Sequence, residues 1–275
     1  MSAAAITRAS PIQRVMRGGV FFYVAVLVVL PLLALASTGL SNGLAGVWDA
    51  VTTPVARDAL LLTLWTGALT AVVNAVAGTA TAWVLVRFRF PGRGLLQALV
   101  DLPFAIPTLV TGVMLVLLLG PTRPMGRWFE SHGIEILFAP PAIVFALLFI
   151  TVPFVVRAVE PVLAEMDPAE EEAARTLGAG DAAIVRRVIL PSLLPAIGVG
   201  ALQSFARAIA EFGSIVVVSG NIPHKSLTGA IYIFGEVEGG RPEVAAAVSL
   251  VLLALSFGLS LGARALRDTI GGRRG

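Results

Sequence analysis

Six stretches without a charged residue alternate with short polar stretches along the chain. Each is long enough for the roughly 17–25 apolar residues of a helix that crosses a bilayer. The stretches are 18–48, 59–86, 102–122, 136–156, 188–206 and 244–263. The fifth continues beyond two isolated charges, Arg207 and Glu211, into the charge-free run 212–224. The pattern therefore predicts an all-α integral membrane protein. Its six predicted spans are 19–38, 60–86, 98–119, 137–157, 193–217 and 244–265.

The longest polar interruption is residues 166–191, called here the 166–191 segment. Asp167 stands at an N-cap position before a proline, and Glu170 follows three residues later, as in a capping box. Gly178 suits the C′ position, where helices commonly end in the left-handed conformation. A second short helix is predicted from Asp181 to Pro191. The segment is thus predicted to be two ordered helices joined by a glycine turn.

Composition agrees with a membrane protein. Hydrophobic residues make up 57% of the chain and charged residues 13%, and mean hydropathy is +0.89, which exceeds the range of ordinary soluble domains. Cysteine is absent, which excludes disulfides, thiol nucleophiles and cysteine metal sites. The sequence pI of about 10.1 would fit a nucleic-acid partner, but the basic residues are scattered over loops beside apolar segments. We therefore predict no nucleic-acid partner, and we see no cleavable signal peptide.

The basic residues predict the orientation of the chain in the membrane. Of the 20 Arg and Lys residues, fourteen precede the first span, follow the last, or flank the second and fourth connections. Five lie on the opposite side, and Arg207 lies inside the fifth predicted span. Because cytoplasmic loops carry the excess of positive charge, both termini and the 166–191 segment are predicted to be cytoplasmic.

No catalytic constellation is visible. The two histidines, His132 and His224, lie in predicted external loops, and neither belongs to an H-E-x-x-H motif. The two G-x-S-x-G matches, at 39–43 and 258–262, do not stand between a predicted strand and a helix, so neither is a nucleophile elbow, and the chain has no Walker A loop. We therefore expect a non-enzymatic chain whose energy for any work comes from another subunit or from an ion gradient.

A spacing within the 166–191 segment carries a family resemblance. Glu172-Ala173-Ala174 is followed by Gly178 and by Val188-Ile189-Leu190-Pro191. This resembles the EAA signature of permeases in binding-protein-dependent ABC importers, with Val188 at the isoleucine position of I-x-L-P. The resemblance implies a coupling helix that docks into a groove of an ATP-binding subunit. The residues it implies in coupling are Glu172, Ala173, Ala174, Leu177, Gly178, Leu190 and Pro191.

Further stretches are similar to the sulfate/thiosulfate permease branch. They are 101–112, 154–157, 161–166, 205–214, 219–223 and 232–238. The last two favour the T-type sulfate subunit over its partner. The molybdate branch shares A-R-A-x-x-E-F-G and G-N-I-P, so a molybdate or tungstate importer stays open. Ala210 departs from both branches, which usually have glycine there.

Arg207 and Glu211 are four residues apart, so we expect them to pair on one helix face. Each charge costs about 2.5–3.5 kcal/mol at mid-bilayer on insertion scales, so both are expected to face protein or water. Two interpretations stay open. The pair locks the fifth span against its neighbours, or Arg207 supplies positive potential for a divalent oxyanion in a pathway at the subunit interface.

Other polar residues are weaker pathway candidates. Thr108 and Thr111 follow two prolines that are expected to distort the third span and free backbone carbonyls. Ser214 and Asn221 are candidates for the external end of a pathway. Asp101 lies at the start of the third predicted span, where it either caps that helix or lines the pathway.

Taken together, the resemblance implies a type I ABC importer permease fold in a bacterial cytoplasmic membrane. The predicted divisions are a cytoplasmic segment 1–18, a six-span domain 19–266 and a cytoplasmic tail 267–275. The implied partners are ATP-binding subunits, a second related permease subunit, an extracytoplasmic sulfate-binding protein and membrane lipid. No cofactor is expected on this chain, since ATP and Mg would bind the ATP-binding subunit. A secondary anion transporter and a membrane enzyme are the alternatives from other classes.

Overall fold

The computed structural model describes residues 11–271, and all regular elements within them are helical. Two π-helical turns interrupt the α-helices, at Ala25–Val29 and Val185–Ile189. The α-helices are α1 Pro11–Val24, α2 Leu30–Gly39, α3 Gly43–Thr52, α4 Pro54–Arg87, α5 Arg93–Ala105, α6 Thr108–Leu119, α7 Pro124–Ser131, α8 Pro140–Ala164, α9 Pro168–Thr176, α10 Asp181–Ile184, α11 Leu190–Ile209, α12 Ile215–Val218, α13 Gly229–Glu238 and α14 Pro242–Gly271.

Five continuous helical stretches are long and apolar enough to cross a membrane. They are Val15–Gly39, Pro54–Arg87, Pro140–Ala164, Asp181–Ile209 and Pro242–Ala265. The sixth predicted span, 98–119, is not one straight helix, because α5 and α6 meet at an angle of 113°. Pro107 lacks a backbone N–H and holds Ile106 in an extended conformation, which ends α5 at Ala105.

The fifth predicted span, 193–217, is wrong at both ends, because the helix runs from Asp181 to Ile209. The predicted helix end at Pro191 is wrong as well. A proline ring clashes with the carbonyl four residues earlier, and the helix here widens into the π-helical turn. The Leu190 N–H donates to the carbonyl of Val185, five residues back. The 166–191 segment is therefore continuous with a membrane helix.

Helices α4, α8 and α11 form the centre of the bundle. Gly78 of α4 and Gly200 of α11 both face Val155 of α8. A Cβ at position 78 would lie 2.8 Å from the Val155 Cβ, and one at position 200 would lie 2.7 Å from its Cα. Small residues at these two positions let the three backbones approach closely, as is common in membrane bundles.

A buried hydrogen-bond network joins the same three helices. The Asn74 amide of α4 donates to the Thr151 hydroxyl of α8 at 2.8 Å, and the Ser204 hydroxyl of α11 donates to the same oxygen at 2.9 Å. Thr151 in turn donates to the carbonyl of Leu147 at 2.7 Å. All three polar side chains are at most 2% exposed. The network satisfies polar groups that would otherwise be costly in an apolar interior.

The remaining helices pack around this centre. Helix α2 contacts α14 at Gly39, where a Cβ would lie 2.7 Å from a methyl group of Leu250. Helix α13 packs on α4, where the Thr63 hydroxyl accepts a hydrogen bond from the Gly229 N–H at 2.8 Å. Many leucine, valine and phenylalanine side chains on the outside of the bundle are exposed, as expected for lipid-facing helices.

Candidate functional site

The 166–191 segment begins as the sequence predicts. The carboxylate of Asp167 accepts a hydrogen bond from the Ala169 N–H at 2.9 Å, and Pro168 occupies the first helical position of α9. Glu170 and Glu171 lie in the first turn, where the helix dipole favours negative charge. Both local signals therefore fix where α9 starts.

The end of α9 is also the predicted one. Gly178 has φ +84°, the left-handed conformation. Its N–H donates to the Arg175 carbonyl at 2.9 Å, and the Ala179 N–H donates to the Ala174 carbonyl at 3.0 Å. These two bonds form a Schellman motif, which satisfies carbonyls left without partners at the helix end. The turn between α9 and α10 is thus held by backbone geometry.

The two sides of α9 face different surroundings. Ala174 packs against the apolar cluster that includes Leu85 and Leu163, whereas Leu177 is 88% exposed. Glu172 and Ala173 are exposed as well. The expected partner-facing set is therefore divided, since Ala174 contacts the protein's own core.

A surface hollow of about 480 Å³ lies between α9 and α10, lined by residues that include Leu177, Gly178 and Arg187. Leu190 and Pro191 lie further on, where the π-helical turn passes into α11. Leu190 is 39% exposed. Apart from Ala174, the predicted coupling residues thus form one exposed ridge on α9 and its turn, and a second site at the base of α11.

A second group of predicted residues meets where two membrane helices are broken. Thr108 begins α6 after the break at Pro107, and Ser214 follows the end of α11. A Cβ at Gly213 would lie 2.3 Å from the Thr108 hydroxyl, and one at Gly112 would lie 2.7 Å from the Ser214 carbonyl. Glycine is required for this approach. We call Thr108, Arg207, Glu211 and Ser214 the polar cluster.

The expected ion pair of Arg207 and Glu211 is present, with 2.6 Å between Nη2 and Oε2. Glu211 lies beyond the last residue of α11 rather than on its face. Its other carboxylate oxygen accepts hydrogen bonds from the Ser214 N–H at 2.9 Å and the Ser214 hydroxyl at 3.0 Å. The Glu211 side chain is 1% exposed and that of Arg207 is 32% exposed. A buried, fully engaged carboxylate therefore holds a partly accessible guanidinium.

The other candidates occupy different places. Thr111 is buried one turn further along α6. Asn221 lies in the loop before α13, at φ +55°, where its side-chain oxygen accepts from the Ser219 hydroxyl at 2.9 Å. It is apart from the polar cluster along the chain and is held within its own loop.

The expectation that Asp101 caps a helix is wrong. Asp101 lies within α5, whose N-cap is Gly92, because this helix begins earlier than the apolar pattern indicates. Its carboxylate accepts a hydrogen bond from Arg157 Nε of α8 at 2.9 Å. Arg157 also contacts Glu160 at 3.1 Å. Asp101 therefore joins α5 to α8 on a half-exposed surface.

This ion pair and a second one between Arg87 and Glu171 are not predictable from the sequence. The signal that the sequence offers is the position of Arg87, Asp101 and Arg157, each of which directly adjoins a charge-free stretch. The partners are 56 and 84 positions apart, so only the fold identifies them. Within the part of the chain whose side chains are described, no group of three or more His, Asp or Glu residues is placed to hold a metal ion.

Comparison with known proteins gives one family. Residues 74–270 match the family described as "Binding-protein-dependent transport system inner membrane component". The chain is 41% identical to the sulfate transport system permease protein CysT of Synechocystis sp., over 87% of this chain and 84% of that protein. It is 36% identical to CysT of Escherichia coli, over 99% of each. It is also 42% identical to CysW of the same Synechocystis, over 85% of this chain and 86% of that protein.

Solved structures agree on the fold. The chain superposes on a chain of a bacterial alginate ABC transporter, crystallised with an alginate pentasaccharide-bound periplasmic protein, with a TM-score of 0.75 over 94% of each chain and 18% identity. An inward-facing MetNI methionine ABC transporter gives a TM-score of 0.54, over 78% of this chain and 96% of that one, at 21% identity. The predicted ABC importer permease fold is confirmed. The chain belongs to the family of binding-protein-dependent transport system inner membrane components, together with the sulfate transport system permease proteins CysT and CysW.

Proposed function

We propose that this chain is the permease subunit of an ATP-driven sulfate importer. The observation that carries the proposal is the 36–42% identity, over 84% or more of both chains, to proteins named as sulfate transport system permeases. Identity is nearly equal to the T-type and W-type proteins of one organism, so the T-type assignment rests on the stretches 219–223 and 232–238.

The proposed function implies three further partners. The 166–191 segment docks into an ATP-binding subunit, which holds ATP and Mg and performs the hydrolysis, so this chain has no catalytic residue. A second related permease completes the pathway, and an extracytoplasmic binding protein delivers the anion. The positive-inside bias supports cytoplasmic termini, which puts the 166–191 segment on the side where ATP is present.

The polar cluster is the proposed anion pathway within this subunit. Glu211 is engaged by Arg207 and by two donors of Ser214, so part of its charge is offset by Ser214. The guanidinium of Arg207 has five N–H donors and is 32% exposed, which leaves donors accessible to a divalent oxyanion. Helix breaks inside membrane proteins commonly form such sites, because backbone groups there are not used by the helix.

The test compares uptake of labelled sulfate and labelled molybdate in a strain that lacks the native importer. The complete complex is expected to restore sulfate uptake, and restoration of molybdate uptake alone would reject the sulfate assignment. Removal of the ATP-binding subunit is expected to abolish uptake, whereas a secondary transporter would retain it.

Two variants then test the role of Arg207. Arg207→Gln removes the positive charge and leaves Glu211 buried without its partner, which also risks assembly. The double variant Arg207→Gln/Glu211→Gln removes both charges and retains hydrogen bonding. If Arg207 attracts the anion, both variants lose about tenfold or more of the uptake per assembled complex. If the double variant transports normally, the ion pair serves only to lock the helices.

A further inference from the structure

The ion pair of Arg87 and Glu171 joins the 166–191 segment to the longest helix of the bundle. Arg87 is the last residue of α4, and Glu171 lies in the first turn of α9. A cation at a helix C-terminus and an anion at a helix N-terminus each complement the local dipole. The pair therefore connects two helix ends that favour those charges, with Nη2 of Arg87 against Oε1 of Glu171.

The surroundings of this pair restrict its movement. The side chains of Arg87 and Glu171 are 26% and 16% exposed, in contrast to 61% and 89% for the pair of Arg175 and Asp181 in the same segment. The Arg87 guanidinium also lies 5.5 Å from the centre of the Trp83 ring, within the range of a cation–π interaction. Partial burial reduces screening by solvent, so this contact is stronger than an exposed ion pair.

The inward face of α9 has a second contact with the same bundle. Ala174, three residues after Glu171 and on the same helix face, packs against the cluster that contains Leu85 of α4. The outward face carries Glu172, Ala173 and Leu177. Helix α9 thus has one face for its own bundle and another for a partner.

Helix α4 extends from this contact past the polar cluster to the loop that contains Asn221. With 34 residues at 1.5 Å each, it is about 50 Å long. Near its middle, a Cβ at Gly67 would lie 3.0 Å from the Phe205 ring, close to the end of α11 and the polar cluster. Near its outer end, Asp58 Oδ2 lies 2.7 Å from Nδ1 of His224, in the loop that contains Asn221.

We propose that Arg87 and Glu171 are positioning residues that fix α9 to α4, so that displacement of the 166–191 segment by the ATP-binding subunit moves α4 with it. This rests on the proposed function, since it assigns a second route from docking to the polar cluster, beside the continuous helix Asp181–Ile209. Without the pair, α9 retains only small apolar contacts with its bundle and moves without carrying α4. ATP hydrolysis then proceeds with less transport.

The test uses the complete complex in proteoliposomes and measures labelled sulfate taken up per ATP hydrolysed. Arg87→Glu places two carboxylates together, and we expect the ratio to fall about 5- to 10-fold while hydrolysis continues. The charge-swapped variant Arg87→Glu/Glu171→Arg is expected to recover part of the ratio, since it restores the attraction but places both charges against the helix dipoles. Arg89→Glu is the matched control, because Arg89 is exposed two residues away and has no ion pair within the described residues. It is expected to match the wild type.

A distance measurement tests the same link without transport. The chain has no cysteine, so spin labels can be attached to cysteines introduced at exposed Val84 and Ala169. The label distance is expected to be narrow and unchanged between nucleotide states in the wild type, and broad in Arg87→Glu. This arm keeps its meaning if the wild-type complex takes up no sulfate, an outcome that would reject the proposed function instead.

Three results would overturn the proposal. They are an unchanged uptake ratio in Arg87→Glu, a charge-swapped variant no better than Arg87→Glu alone, and a label distance in Arg87→Glu as narrow as in the wild type. If Arg87→Glu does not assemble, Arg87→Gln and Glu171→Gln replace it. Each removes one charge without repulsion, and both are expected to lower the ratio. A ratio equal to that of the wild type would then reject the proposal.

Discussion

Replacing Gly178 isolates one physical effect in the 166–191 segment. Its φ is +84°, and a Cβ at this position would meet no atom within 4 Å. A side chain therefore fits in space, and the cost lies only in the backbone. For an ordinary L-residue the left-handed conformation costs roughly 1–2 kcal/mol. Asparagine tolerates it better, and a β-branched residue tolerates it least.

These costs act on the turn between α9 and α10. About 1.4 kcal/mol is a tenfold change in an equilibrium constant. Gly178→Val is therefore expected to lower the population of the native turn tenfold or more relative to alternative turns, Gly178→Ala somewhat less, and Gly178→Asn least. Helix α9 keeps its N-cap at Asp167 and changes its orientation. We expect Gly178→Val to uncouple transport from ATP hydrolysis while membrane insertion remains normal.

The assay is labelled sulfate uptake and ATP hydrolysis per assembled complex for the three variants. Uptake is expected to decrease in the order Asn, Ala, Val. Normal uptake by Gly178→Val would refute the reasoning. An equal loss of uptake in Gly178→Asn and Gly178→Val would also refute it, because it would show that any side chain at this position obstructs docking.

Two further substitutions test the bundle itself. Thr151→Val leaves the Asn74 amide with a 3.4 Å contact to the Leu148 carbonyl and removes the partner of Ser204, so thermal unfolding in detergent is expected to show a loss of about 1–2 kcal/mol. Thr81→Val is its control, since Thr81 is exposed and bonds only within its own helix. Gly112→Ala places a Cβ 2.7 Å from the Ser214 carbonyl and is expected to reduce uptake severalfold with normal membrane insertion, whereas Gly258→Ala, with open space, is expected to have no effect. Equal effects of a variant and its control would contradict the packing described.

Local signals account for what the sequence predicts correctly. The start and end of α9 depend on Asp167, Pro168 and Gly178, whose preferences act within one turn of the chain. The membrane helices depend on apolar length alone. Ion-pair partners are different, because Asp101 and Glu171 each meet an arginine that only the tertiary fold brings near. The position of a charge near a span therefore does not identify its partner.

Prolines show why the helix boundaries were harder to predict. Pro107 ends α5 at a bend of 113°, whereas Pro191 lies within a continuous helix after a π-helical turn. The residue type is the same, so the outcome depends on what satisfies the freed backbone groups. At Pro191 the helix stays continuous by widening into the π-helical turn, in which the Leu190 N–H donates to the Val185 carbonyl. In a bilayer such groups have no water to bind.

The break after α11 requires a different solution, and this explains why a carboxylate is buried there. No proline follows Ile209, yet the chain leaves the helix, and the Ser214 N–H bonds to the side chain of Glu211 instead of a carbonyl. Glu211 thus replaces a backbone acceptor while its other oxygen holds Arg207. A neutral side chain would satisfy the first role and not the second. The buried charge is therefore retained because one residue both stabilises the helix break and holds the guanidinium at it.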